Sequence, residues 1–266
     1  MDLEATLRKT LEIVREVGAF IVSERKTFSE KDVLAKDTND LVSHVDKESE
    51  KKLIEQLKKI VPGAGFIAEE SSPERNAKEL NWIIDPLDGT TNFIHNMPTY
   101  AISVALAKGN EILLGVVYNI PLNELFCAHR EGKAFLNEKE ISFSKTGHIA
   151  YCLVATGIPV KNFDRLEGFQ KTTEYFMKNT RGIRRIGAAA VDLCYVACGR
   201  FDGFFEYNLN AWDVAAGALI VERAGGKVSD FTGENDHLFG KEMIATNGKI
   251  YPDFQRIVHS NFGKLE

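Results

Sequence analysis

The sequence predicts a layered α/β fold of the α+β kind, and three patterns predict it. Apolar residues near the N-terminus recur at helical spacing, residues 82–136 carry successive strand-like runs broken by turn signals, and beyond about residue 145 strand and helix patterns alternate. Leu3, Leu7, Leu11, Val14, Gly18, Ile21 and Val22 share one helical face, giving a first helix that ends near Lys26. A second helix is expected over 45–61, where Pro62-Gly63 stops it. Trp82-Ile-Ile-Asp85 reads as a short buried strand that delivers a carboxylate at its C-terminal end. Runs 101–107 and 111–120 are strands joined at Lys108-Gly109-Asn110, and 125–130 and 133–136 follow around Glu131-Gly132. The first half is thus helices against an antiparallel meander.

The second half is expected to alternate: a strand near Leu153, helices over 163–178 and 188–198, a strand over 203–207, a helix over 213–224, a strand over 227–231 and a last helix after Lys249. Low-complexity segments, internal repeats and Pro/Gly/Ser-rich linkers are absent from the sequence, so residues 1–266 are expected to form a single domain, an α+β half to about 145 and an α/β half after it.

Composition narrows the function. The chain has 266 residues with a net charge of −5, 44% hydrophobic and 27% charged residues, a soluble globular profile without a polybasic footprint for direct nucleic-acid binding. An anionic substrate would therefore need a local cation. The longest uncharged stretch, 89–107, includes Asn92, His95, Asn96 and Pro98 and is too polar for a bilayer span, so no membrane partner is expected. The N-terminus lacks the pattern of a secretory signal, and Cys127, Cys152, Cys194 and Cys198 sit in apolar segments without zinc spacing; both point to a reducing, cytoplasmic setting. Gly63-Ala-Gly65-Phe-Ile-Ala68 spells a dinucleotide fingerprint but follows a helix and precedes a strand, the reverse of the required order. P-loop, zincin and nucleophile-elbow motifs are absent from the sequence, and its six histidines are scattered.

Acids at the ends of apolar runs are the informative feature, because burying a carboxylate is costly unless cations or several donors compensate. Phe66-Ile-Ala-Glu69-Glu70, Ile83-Ile84-Asp85-Pro-Leu-Asp88, Trp212-Asp213 and Val45-Asp46 all show it. In Asp85-Pro86-Leu87-Asp88-Gly89-Thr90-Thr91-Asn92, Pro86 holds Asp85 extended and Gly89 permits a tight turn. Two carboxylates and the Leu87 carbonyl can then converge, a hard-oxygen set that suits Mg²⁺ or Mn²⁺. Backbone N–H groups at Gly89, Thr90 and Thr91 offer a seat for phosphate.

These segments resemble the two signature regions of the inositol monophosphatase family: Asp85-Pro-Leu-Asp-Gly-Thr-Thr-Asn with Ala68-Glu69-Glu70-Ser71 before it, and Asn210-Ala-Trp-Asp213-Val-Ala-Ala-Gly217. The likeness extends to Asp40-Leu-Val-Ser-His-Val-Asp46 and Arg184-Arg-Ile-Gly-Ala-Ala-Ala-Val-Asp192-Leu, nearly the whole chain in order. It implies a five-layered αβαβα sugar-phosphatase fold, a homodimer, and magnesium-dependent, lithium-inhibited hydrolysis of a phosphate monoester. By the same resemblance Glu69, Asp85 and the Leu87 carbonyl would hold one metal, and Asp85, Asp88 and Asp213 a second, with a third ion near Glu69. Asp46 and Thr90 would orient the attacking water, with Glu69 beside them as a catalytic acid. Gly89 and Thr90 would bind phosphate, and Asp88, Ala189 and Glu206 would face the sugar hydroxyls, with Arg185 close to the substrate.

Structural roles compete with these. Ser43-His-Val-Asp46 fits a capping box, Asp213 fits a helix cap, Glu70 a solvated acid, and Arg185 a surface salt bridge. Two departures bear on specificity: Ala188 stands where the family commonly has Thr or Ser, and Tyr207-Asn-Leu-Asn-Ala211 differs from the Cys or Pro often found before the Trp. The resemblance points first to inositol 1-phosphate hydrolysis. Fructose-1,6-bisphosphatase or nucleotide 3′-phosphatase activity on the same site is the alternative, as is a non-catalytic role as a partner of transcription machinery. Pocket specificity would depend on the 159–165 loop and on Arg184, Arg185 and Glu206.

Overall fold

Asp2 opens the first helix by accepting a hydrogen bond from the Ala5 N–H at 3.0 Å, and the apolar stripe read from the sequence buries Leu7, Val14, Val17 and Ile21. The computed structural model describes residues 1–29, 33–37, 40–71, 78–160 and 162–263, so Lys161 of the 159–165 loop lies outside the described residues. The elements of the first half are α1 (Leu3–Arg25), β1 (Val33–Asp37), β2 (Asp40–Ser43), α2 (His44–Ile60), β3 (Gly65–Ala68), β4 (Leu80–Asp88), α3 (Thr90–Ile94), β5 (Ala101–Lys108), β6 (Glu111–Asn119), β7 (Glu124–His129), β8 (Ala134–Leu136) and β9 (Lys139–Glu140). The second half adds β10 (Leu153–Thr156), α4 (Leu166–Asn179), β11 (Gly182–Arg184), α5 (Ala189–Ala197), β12 (Gly203–Tyr207), α6 (Ala211–Arg223), β13 (Lys227–Ser229), β14 (Glu242–Thr246) and α7 (Tyr251–Phe262).

Strands β3 to β9 form a seven-stranded sheet in sequence order, and a five-stranded sheet has the order β11-β10-β12-β14-β13. Strand alternation sorts side chains onto opposite faces. Ala101, Ala105 and Ala107 of β5 join the central core with α5 and α6, whereas Ile102, Val104 and Leu106 join the outer core with α1 and α2. In β12, Phe204 faces the central core and Phe205 packs with Phe176 of α4 and Phe254 of α7. The result is five layers: α1/α2, the large sheet, α5/α6, the small sheet and α4/α7. Sheets covered on both faces explain why these strands read as continuous apolar runs.

Several expectations shift in detail. β3 pairs parallel with β4, so the large sheet is not purely antiparallel. The hairpin β1–β2 and the short strands β9, β11 and β14 were not expected; β14 inserts antiparallel between β12 and β13. Helix α4 starts at Leu166, not 163, because the Asn162 side chain accepts from the Asp164 N–H at 2.8 Å and holds a turn there. Helix α6 starts at Ala211, and Asp213 lies in its first turn. All four cysteines carry free thiols, three buried and Cys198 half-buried. Among the described residues no helix is long and apolar enough to cross a membrane.

The central layer is tight where α6 crosses β6. A Cβ at Gly115 would stand 2.8 Å from the Ala216 carbonyl oxygen and 2.9 Å from its Cα, both backbone. Gly115→Ala is therefore expected to lower unfolding free energy by about 1–3 kcal/mol through overpacking, measured by urea denaturation. An unchanged midpoint would mean that α6 can move away from the sheet without cost.

Candidate functional site

The site begins where β4 stops being a regular strand. Its ladder with β5 breaks between Asp85 and Asp88, and Asp85 Oδ1 accepts from the Leu87 N–H at 2.9 Å. This Asx turn, with Pro86 inside it, brings both carboxylates and the intervening carbonyl to one end of the sheet. Gly89 follows at φ +90°, and a Cβ there would meet the Thr99 and Gly187 carbonyls at 3.0 and 3.1 Å. Both the conformation and the space require glycine. The Asn92 side-chain amide donates to the carbonyls of Thr99 at 2.7 Å and Ile186 at 2.8 Å, fastening this turn to the segment that leads into α5.

Four helices begin around this turn. At the start of α2, Asp46 Oδ2 accepts from the Ser43 N–H at 2.9 Å and from its hydroxyl at 2.6 Å, the capping box expected from the sequence. Asp46 Oδ1 lies 3.0 Å from the Thr90 hydroxyl, which stands at the same distance from the Leu87 carbonyl. At α5, the N-cap residue Ala188 has no capping side chain, and Asp88 takes its place: Oδ2 accepts from the Ala190 N–H at 2.8 Å. At α6, Asp213 Oδ2 accepts from the Asn210 N–H at 2.7 Å. Ser103 of β5 donates to the Trp212 carbonyl at 3.1 Å and ties this helix start to the large sheet. Helix α3 itself starts at Thr90.

The acids meet at a polar cavity of about 160 Å³ whose wall includes Asp88, Ala189, Glu206, Asp213 and, at its exposed mouth, Arg185. Glu69 and Asp85 complete the group from the sheet side. Burial, followed by the charges of Glu69, Asp88 and Asp213, pushes the Asp85 carboxyl well above its ordinary value. Burial also raises Asp88 to about 7; Glu69 adds to the rise, while the Ala190 and Ala189 N–H groups and Arg185 oppose it. Glu206 is pushed up to about 8 by burial, Asp213 and Asp88. Asp46 is raised by burial against the hydrogen bonds of Ser43 and Thr90. All the residues expected at the site are thus brought together. Glu70 stands beside them, with its N–H donating to the buried Glu50 carboxylate at 2.8 Å.

This group fits divalent metal by its chemistry. Carboxylates and a backbone carbonyl are hard donors, and they raise one another's pKa because like charges share a dry site. Among the described residues, no three His, Cys, Asp or Glu side chains close around one point as a preformed cage. Asp46, with both oxygens engaged by Ser43 and Thr90, is the acid least available as a ligand.

Two residues on this wall were given no role from the sequence, although Asp192 lies in the 184–193 segment of the resemblance. Asp192, one turn into α5, is 1% exposed and lines the cavity. Burial, then Glu206 and Asp88, raise its carboxyl well above the ordinary value, with Arg185 opposing. Its i,i+3 spacing from Ala189 was the available signal. Gly157 lies against Glu206, where a Cβ would fall 1.8 Å from Oε1; no pattern in the sequence marks that contact.

A five-layered fold with carboxylates, a strand-end carbonyl and helix starts converging on one polar cavity defines a class of layered phosphatases. The chain belongs to the inositol monophosphatase family, whose sequence profile matches residues 2–261. It is 44% identical over 224 residues, 84% of this chain and 86% of the relative, to a Neisseria meningitidis serogroup B protein named provisionally as the Nus factor SuhB. It is 38% identical over 247 residues, 91% of this chain and 96% of the relative, to the inositol-1-monophosphatase of Caulobacter vibrioides. Among solved structures it resembles an IMPase/NADP phosphatase complexed with Mg²⁺ and phosphate, with a TM-score of 0.85, 25% identity, and coverage of 100% of this chain and 99% of that one.

The raised carboxyls make a prediction about metal removal. Asp88 and Glu206 stay neutral in the metal-free folded protein up to about 7 and about 8. The unfolded chain ionises them near pH ~4, so the stability they contribute is lost as pH rises through their folded values. Thermal unfolding in EDTA is expected to move to lower temperature from about pH 4 to about pH 8 and to level off above that, and saturating Mg²⁺ should offset most of the loss at neutral pH. A flat profile in EDTA over this window would contradict a buried like-charge site.

Proposed function

We propose that this protein hydrolyses a phosphate monoester, inositol 1-phosphate first among the candidates, with Mg²⁺ bound by Glu69, Asp85, the Leu87 carbonyl, Asp88 and Asp213. The observation that carries the reading is the set of converging carboxylates, Glu69, Asp88 and Asp213, whose charges press on buried Asp85 beside the Asp46–Thr90 pair. When bound, divalent metal supplies charge stabilisation and lowers the pKa of coordinated water.

The remaining work falls to the chain. The Thr90 hydroxyl, between Asp46 and Leu87, orients a water for in-line attack on phosphorus, and Asp46 takes up its proton. A carboxyl raised by burial is the better acceptor for that proton. The N–H groups of Gly89 and Thr90 bind phosphate oxygens, and the ester P–O bond breaks as the new one forms. The leaving oxygen takes a proton from a water molecule, Asp46 releases the proton it took up to solvent, and Asp88, Ala189 and Glu206 hold the alcohol in the cavity, with Arg185 at its mouth.

A second reading, a protein-binding role in transcription, draws support from the name of the Neisseria relative. The net charge of −5 favours contact through protein over direct contact with RNA.

Asp88→Asn tests the catalytic reading with little disturbance to the fold, because the asparagine oxygen can still accept from the Ala190 N–H. It is expected to lower kcat on inositol 1-phosphate by about 10²–10³-fold with Mg²⁺ saturating, as loss of a transition-state electrostatic contact does. Near-wild-type turnover would remove Asp88 from the ligand set. Wild type should also prefer inositol 1-phosphate to fructose 1,6-bisphosphate and adenosine 3′,5′-bisphosphate; equal rates on all three would leave only a broad sugar phosphatase. A metal-site variant that keeps full cellular function would favour the transcription role.

A further inference from the structure

The Asp192 carboxyl carries an unpaired oxygen in an otherwise well-paired site. Oδ1 is buried with no hydrogen-bond partner, although the side chain lines the same cavity as Asp88, Glu206 and Asp213. A buried polar atom left unmatched costs about 1–3 kcal/mol. Neighbouring acids are treated differently: Asp88 receives the Ala190 N–H, Asp213 the Asn210 N–H and Asp46 the Ser43 and Thr90 donors. On this wall of α5 the preceding residues, Ala188 and Ala189, present methyl groups and no side-chain hydrogen-bonding capacity. Asp192, one turn deeper, is therefore the polar side chain that α5 presents to a ligand in the cavity.

We propose that Asp192 is a specificity-determining residue, the hydrogen-bond acceptor for a ring hydroxyl of a compact polyol phosphate. The inference rests on the phosphatase reading above and narrows its substrate class. The cavity, at about 160 Å³, is below the ~300–1,000 Å³ of pockets that hold drug-sized ligands, so it suits a single hydroxylated ring more than a nucleoside. Acids on its wall disfavour a second phosphate at that end and suit hydroxyl groups, which donate to carboxyl oxygens. Gly157 contributes by leaving room for the Glu206 carboxylate on the same cavity, where any β-carbon would collide with it. A hydroxylated ring held between Glu206 and Asp192 satisfies an atom that the ligand-free fold leaves unmatched.

The test compares inositol 1-phosphate with cyclohexyl phosphate, the same ring without its hydroxyls, in wild type, Asp192→Leu and Asp192→Asn. Asp192→Leu keeps the side chain's approximate size and removes the hydrogen bond. It is expected to lose about 10-fold or more in kcat/KM on inositol 1-phosphate, chiefly through KM, with a much smaller change on cyclohexyl phosphate. Asp192→Asn retains an acceptor and should recover most of the preference. Asp192→Leu should unfold at or above the wild-type temperature, since it removes the unmatched buried oxygen. Equal losses on the two esters, or no loss on either, would overturn the assignment, as would a preference that Asn fails to rescue. A wild type that hydrolyses neither ester would instead overturn the phosphatase reading itself.

Discussion

The structure depends on keeping several carboxylates out of water at the junction of two sheets. Burial of an ionised carboxylate is prohibitive without compensation, and here the backbone gives part of it. Asp46, Asp88 and Asp213 each accept hydrogen bonds from N–H groups at the start of a helix: α2, α5 and α6 respectively. Helix starts favour negative charge through both their unpaired N–H groups and the macrodipole, typically by about 0.3–1 kcal/mol each. The five-layered arrangement makes this possible, because it aims those helix starts at the one place where β4 leaves its ladder.

Compensation by backbone is incomplete, and the shortfall is what makes the site a site. Asp85, Asp88 and Glu206 remain well above their ordinary values, chiefly through burial and then through one another's charge. A fold selected only for stability would replace such a group by apolar side chains. Arg185 is exposed at the mouth and offsets only part of the charge on Asp88 and Glu206. The balance calls for cations that arrive from outside the chain. The −5 formal charge of the sequence thus has a local meaning: part of the acid excess is concentrated where divalent ions fit.

Much of this was legible in the sequence for definite reasons. Apolar runs ending in acids located the site, because burial and charge conflict there. Pro86 and Gly89 located the turn, and the Ser43–Asp46 spacing located a helix start. The helix of residues 163–178 began three residues late because an Asx turn at Asn162 competes with it, a local hydrogen bond that periodicity does not see. The strand over 242–246 is short and buried on both faces, so it shows no alternation to read. Asp192 stood inside the 184–193 segment of the resemblance without a role assigned to it; its importance comes from an oxygen that lacks a partner, and that is a property of the packed structure.

The competing structural and chemical roles of these acids are resolved by the two oxygens of each carboxylate. Asp46 gives Oδ2 to the Ser43 cap and Oδ1 to Thr90. Asp85 uses Oδ1 for the Leu87 N–H, Asp88 uses Oδ2 for α5, and Asp213 uses Oδ2 for α6. In Asp85, Asp88 and Asp213 a backbone hydrogen bond to one oxygen fixes the side chain's orientation at the site. A helix cap and a ligand site are therefore not rival explanations of the same aspartate. The cap removes side-chain freedom in advance, so part of the entropy of ordering the donor set is met by folding and not by binding, which is the physical content of preorganisation.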